Sequence, residues 1–194
     1  MTSNTEYVGL TDTVKDALVT SVIGTGNNVQ TIASAVSRSL AKTITDIRRI
    51  GPSVMDAIDH FASGALRGAA LAGVDLRYAA KGIMLGVLRG TTFASAEARD
   101  TIGQTAYVVI RNTSELGGNL EAAAIGLVRG AIAGAQELGL SAQEAAEAAA
   151  NGALKAAGQV GSTAVAAVRK AVSKTIPDVK ILHKEPEAIL SCNN

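Results

Sequence analysis

Large aliphatic residues return every 22 positions along this chain. One column runs Val22, Ile44, Leu66, Leu88, Ile110, Ile132, Leu154 and Ile176. A second reads Val14, Val36, Ile58, Ala80, Ile102, Ala124, Ala146 and Val168, and a third Leu18, Leu40, Ala62, Met84, Ala106, Val128, Ala150 and Val172. Twenty-two residues make six turns of about 3.67 residues, close to the natural helical 3.6. Each residue then advances about 98°, and the three columns fall within about 70° of one another. A fourth column, holding Phe61, Ile83 and Leu127, widens the stripe to about 130°. The opposite face carries Gly, Ala, Ser and scattered charges. The pattern predicts an all-α chain of amphipathic helices built from 22-residue repeats, packed as an elongated bundle or an oligomeric helical assembly.

Two signals pull the helix boundaries in opposite directions. About seven repeats pass without an insertion, which favours long helices, since one extra residue would rotate the stripe away. Against this, Gly51, Gly73, Gly117, Gly139 and Gly161 share a phase, with Ser95 as the exception. Two residues further come Ser53, Asp75, Glu97, Asn119, Ser141 and Thr163. Gly ends helices, and Ser, Asp, Asn and Thr start them. Ser141–Glu144 has the form of a capping box, Gly51-Pro52 should end one helix and open the next, and Gly117-Gly118-Asn119 marks a second break. The combined reading places helices near 10–50, 52–90, 95–116, 119–138 and 141–176. Residues 1–9 form an N-terminal tail, 10–176 the repeat domain with breaks near 51 and 117, and 177–194 a loose C-terminal tail.

Composition narrows the classes. Hydrophobic residues make up 47% of the 194, but only 3% are aromatic and there are 20 Gly and 3 Pro. Ala and Gly let helices approach closely but bury little area each, so an Ala-lined seam needs length or partners. A net charge of +1 offers no electrostatic case for nucleic acid. Cys192 is the single cysteine, which excludes a disulfide framework within the chain and makes a reducing compartment the default. Met1–Leu10 lacks the basic and apolar regions of a signal peptide. Ala17–Ser37 is free of charge, but its Gly24-Thr25-Gly26-Asn27-Asn28 run and many hydroxyls argue against a membrane span. A cytoplasmic protein, in solution or peripheral to a membrane or granule, is expected.

Three features carry candidate chemistry. Gly82, Gly86 and Gly90, and likewise Gly126, Gly130 and Gly134, form ridges at i, i+4 and i+8 that would let two helix backbones nearly touch, within one bundle or between copies. Leu66, Leu88, Ile110, Ile132 and Leu154 form the apolar stripe. Arg67, Arg89, Arg111 and Lys155 recur at its border, interrupted by Ala133, and could reach anionic headgroups. The Gly24–Asn28 run lacks the third Gly and the Lys-Ser/Thr of a phosphate loop. His60 has only Asp56 at helical spacing, which does not make a structural metal site, and no nucleophile–base–acid set can be assembled. No catalytic, metal-binding or cofactor-binding residue is predicted.

As a periodicity over residues 14–176, the pattern resembles the 11- and 22-residue amphipathic repeats of apolipoproteins, perilipins and late-embryogenesis-abundant proteins, and the Ala-rich helices of phasins. It is less charged than those families and lacks the regular Pro punctuation of apolipoproteins. The resemblance implies a non-enzymatic structural or coat protein whose helices self-assemble, as a homo-oligomer, and bind a lipid, polymer or protein surface. The alternative is a soluble helical-bundle or right-handed coiled-coil scaffold that binds a protein partner.

Overall fold

A computed structural model of the chain describes residue 12 and residues 15–20, 29–47, 54–91 and 95–175. Within them lie seven helices: α1 (Val29–Ile47), α2 (Val54–Leu71), α3 (Leu76–Gly90), α4 (Ser95–Glu115), α5 (Leu120–Glu137), α6 (Ala142–Val160) and α7 (Ser162–Thr175). Residues 15–20 are also helical, and no strand occurs among the described residues. The chain is all-α, and its helices pack together as a bundle around one continuous core. The Gly24–Asn28 run, Gly51-Pro52, His183, Cys192, the N-terminal residues 1–9 and the tail after Pro177 lie outside the described residues.

The turns explain the period. At residues 72–75, 116–119 and 138–141 the chain makes the same four-residue connection. Gly73, Gly117 and Gly139 hold φ of +69°, +66° and +69°, a conformation costly for any residue with a Cβ. In each, the amide after the glycine reaches back to a carbonyl five residues earlier, as in Val74 N–H to Ala69 O (2.9 Å), Gly118 N–H to Thr113 O (2.8 Å) and Leu140 N–H to Ala135 O (2.8 Å). These are Schellman closures. The next residue caps the following helix: Asp75 accepts from the Arg77 amide, Asn119 from Ala122 and Ser141 from Glu144. For α2 and α5, each of 18 residues, helix plus four-residue turn makes one 22-residue period. Between α6 and α7 the joint shrinks to Gly161, with φ +141°.

The helices are therefore shorter than the pattern predicts. The stretch expected as one helix over 52–90 is α2 and α3, parted at Gly73, and that expected over 141–176 is α6 and α7, parted at Gly161. Breaks spaced by multiples of 22 residues, at Gly73, Gly117, Gly139 and Gly161, preserve the phase of the apolar stripe as well as an unbroken helix does, so the lack of insertions does not discriminate between them.

Packing runs mainly between alternate helices. α3 lies on α1 and α5, α5 on α7, and α4 on α2 and α6; contacts between successive helices are mostly weaker, except that α5 also packs closely on α6. This makes two layers, α1-α3-α5-α7 and α2-α4-α6. Neighbours run parallel from α1 through α3 to α5 and from α2 through α4 to α6. Gly82 and Gly86 of α3 meet Ile32 and Val36 of α1 in the same order along both chains, and Gly126 and Gly130 of α5 meet Ala80 and Met84 of α3. The structural unit is thus a helix hairpin of two 22-residue repeats. Between the layers lies an apolar core that includes Phe61, Leu66, Ile83, Met84, Leu88, Ile110 and Leu127, each at most 1% exposed. Towards α6 the core turns to alanine, with Ala145, Ala146, Ala149, Ala150, Ala153, Ala156 and Ala157 buried around Leu154. Fully burying a large aliphatic contributes about 1.5–3 kcal/mol, so the Leu and Ile columns dominate stability and the Ala columns set spacing.

Candidate functional site

The six ridge glycines lie where helices of the same chain cross. A Cβ on Gly82 would come within 2.7 Å of Ile32, and one on Gly90 within 3.1 Å of the Ser37 carbonyl. On the other side of α3, Gly126 faces the Arg77 carbonyl, Gly130 lies against Lys81 and Met84, and Gly134 against Leu88. α3 is thus held between two neighbours. Of the apolar stripe, Leu66, Leu88, Ile110 and Leu154 are buried and Ile132 is half-buried. Neither ridges nor stripe form a continuous exposed face.

The basic column is divided between the layers. Arg67, Arg111 and Lys155 stand on α2, α4 and α6, whereas Arg89 stands on α3 and the Ala133 that interrupts the column on α5. Arg89 forms a fork with Glu137, with Nε and Nη2 donating at 2.7 Å each, and Nη1 donates to Gln30 at 2.8 Å. The hydrogen bond from Arg89 is the main reason the Glu137 carboxyl titrates below its ordinary range. The four cations therefore do not make one row of headgroup contacts.

The sequence reading did not find the groove that lies between α4 and α6. It has a volume of about 940 Å3. Its position follows from a glycine pair: Gly152 of α6 sits directly on the Gly103 carbonyl of α4, leaving no room for a Cβ. With Ala148 beside them these small residues make a low floor, and longer side chains make the walls. At one end stand Arg99, Asp100, Glu144 and Glu147, where Arg99 and Glu144 approach to 3.8 Å. At the other, Tyr107 donates its hydroxyl proton to Gln159 Oε1 at 2.5 Å and so ties α4 to α6. The Lys155 ammonium and the Arg111 guanidinium lie 5.8 and 5.9 Å from the Tyr107 ring centre, within cation–π range.

Behind the groove, α4 is tied to α2. Gln104 donates to Asp59 at 2.9 Å, and Asn112 donates to Ser63 at 2.9 Å and to the Val108 carbonyl. Burial pushes the Asp59 carboxyl up, opposed in part by the hydrogen bond from Gln104. Among the described residues the fully buried Thr101 hydroxyl has no hydrogen-bond partner, and neither has Arg111 Nε, with Glu115 at 3.7 Å. Among the described residues no group of three or more His, Cys, Asp and Glu side chains is placed to hold a metal ion. No helix among them is long and apolar enough to cross a membrane.

The groove was hidden from a 22-residue comparison because its walls come from helices two repeats apart. A 44-residue comparison places Arg111 with Lys155 and separates them from Arg89, which was the available signal.

No protein family model matches the chain, and no curated protein matches it. Among solved structures, the crystal structure of a de novo designed helical repeat protein is similar in fold, with a TM-score of 0.52 and 17% identity. The similarity covers 88% of this chain and 95% of that one. At this identity it speaks to the fold alone.

Proposed function

We propose that this chain is a non-enzymatic helical-repeat scaffold that holds a protein partner in the groove between α4 and α6. The observation that carries the reading is where the apolar surface goes. The stripe that could have lain on a lipid or polymer surface is buried between the two layers, and the glycine ridges are filled by helices of the same chain. What the α2-α4-α6 layer offers outside is a long, polar, concave groove, and concavity with a few convergent polar groups favours a binding site. A coat protein would need to open its core before its stripe could meet a surface.

A second reading keeps surface binding without opening the core. Leu71, Leu116 and Val160 are 72%, 49% and 45% exposed and follow one another at the C-terminal ends of α2, α4 and α6. Such a row could rest on a lipid or polymer surface. The two readings separate in one experiment: the oligomeric state and flotation of purified protein with and without anionic vesicles. The scaffold reading expects unchanged mass and no flotation. Co-flotation that is lost in Leu71→Ser/Leu116→Ser would overturn it in favour of the surface reading.

A further inference from the structure

We infer, building on the scaffold reading, that the groove takes an extended peptide bearing a cationic and an anionic side chain four or five residues apart. The walls run from Arg99 to Tyr107 on α4 and from Glu144 to Gln159 on α6, so the groove is long and follows the helix axes. Its ends differ in charge. Asp100, Glu144 and Glu147 outnumber Arg99 at one, and Lys155, with Arg111 beside it, sits at the other, where Glu115 lies 3.7 Å from Arg111. From Glu144 to Lys155 is eleven residues of α6, about 16 Å at 1.5 Å per residue. An extended chain rises about 3.3 Å per residue, so its side chains would meet both ends across four or five residues.

The middle of the groove suits a backbone. Gln104 and Asn151 project from opposite walls and Gln159 stands at the cationic end. With the Gln104 amide nitrogen bonded to Asp59 and the Gln159 oxygen to Tyr107, the Gln104 oxygen and the Gln159 amide are left as acceptor and donor for an extended chain's N–H and C=O groups, and Asn151 can supply either. The close seat of Gly152 on Gly103 keeps the floor low enough for a main chain to lie between the helices. Tyr107, fixed by Gln159 and flanked by two cations, offers a rigid ring beside the site for the anionic residue.

The test presents octapeptides with randomised sequence on an array to the labelled full-length protein. The expected result is enrichment of Lys or Arg four or five positions from Asp or Glu. Lys155→Glu should weaken the best peptide about tenfold. The double swap Glu147→Lys/Lys155→Glu should favour the peptide with its charges exchanged, with circular dichroism confirming intact helix. Enriched peptides without the charge pair, or equal binding by the swapped protein, overturn the charge-pair proposal and leave a peptide-holding scaffold standing. Retention of no peptide overturns the proposal too, and co-flotation with anionic vesicles in that case removes the scaffold reading with it.

Discussion

Gly86→Ala and Gly158→Ala make the same chemical change in two helices and should move stability in opposite directions. At Gly86, midway along α3, an added Cβ would stand 2.5 Å from Val36 Cβ and 2.8 Å from the Ala33 carbonyl of α1. Neither neighbour is the loose end of a flexible side chain, so α1 and α3 must separate. Overpacking of this kind costs about 1–3 kcal/mol. Replacing a mid-helix glycine returns about 0.5–1 kcal/mol. The net expectation is a loss centred near about 1 kcal/mol, within a range of about 0–2.5 kcal/mol. At Gly158, exposed near the end of α6, an added Cβ meets nothing within 4 Å. Only the propensity gain remains, about 0.5 kcal/mol near a helix end. Urea unfolding followed by far-ultraviolet circular dichroism, with both variants beside the parent, reads the difference directly. A Gly86→Ala protein as stable as the parent, with Gly158→Ala behaving as expected, would show that α1 and α3 do not touch through this ridge.

Leu88→Ala removes a side chain 1% exposed at the centre of the core and should cost about 2–5 kcal/mol in the same assay. Gly73→Ala, at φ +69° with open space around it, tests the turn by conformation alone and should cost about 1–2 kcal/mol. Because the Glu137 carboxyl is held below its ordinary range of about 4.5 by Arg89, its contribution is present above that value and lost as pH falls through the lowered one. Glu137→Gln should therefore destabilise at neutral pH by no more than about 1 kcal/mol, the pair being partly exposed, and the gap from the parent should close in acid-dependent thermal melts.

Much of the helical architecture was legible because it is written in repeated chemistry. The aliphatic columns mark the inward face of every helix, and the Gly-x-cap column marks the joints. At Asn119 and Ser141 the caps stand where their residue types place them. Gly73 and Gly161 carry the same signal, but an insertion-free repeat fits an unbroken helix equally well. What could not be read at this period was the alternation of layers, since both carry their aliphatic residues in the same phase. The groove depends on that alternation. Tyr107 and Gln159 meet only because α4 and α6 are neighbours, and neither residue repeats at 22. Its glycine floor is equally hidden, because Gly103 and Gly152 belong to different phases and matter only as a pair.

Among the described helices, none packs on another more than two places away along the chain. Every contact is therefore close in sequence as well as in space, and the cost of closing long loops hardly enters. Such a chain has no single element on which all others wait. It can gain order hairpin by hairpin and lose it the same way, each hairpin answering chiefly to its neighbours. Amide exchange should accordingly be graded by position, slow in α3 through α5, which have neighbours on both sides, and faster in α7, which has them on one. A destabilising change would spread through one or two hairpins and leave distant ones folded.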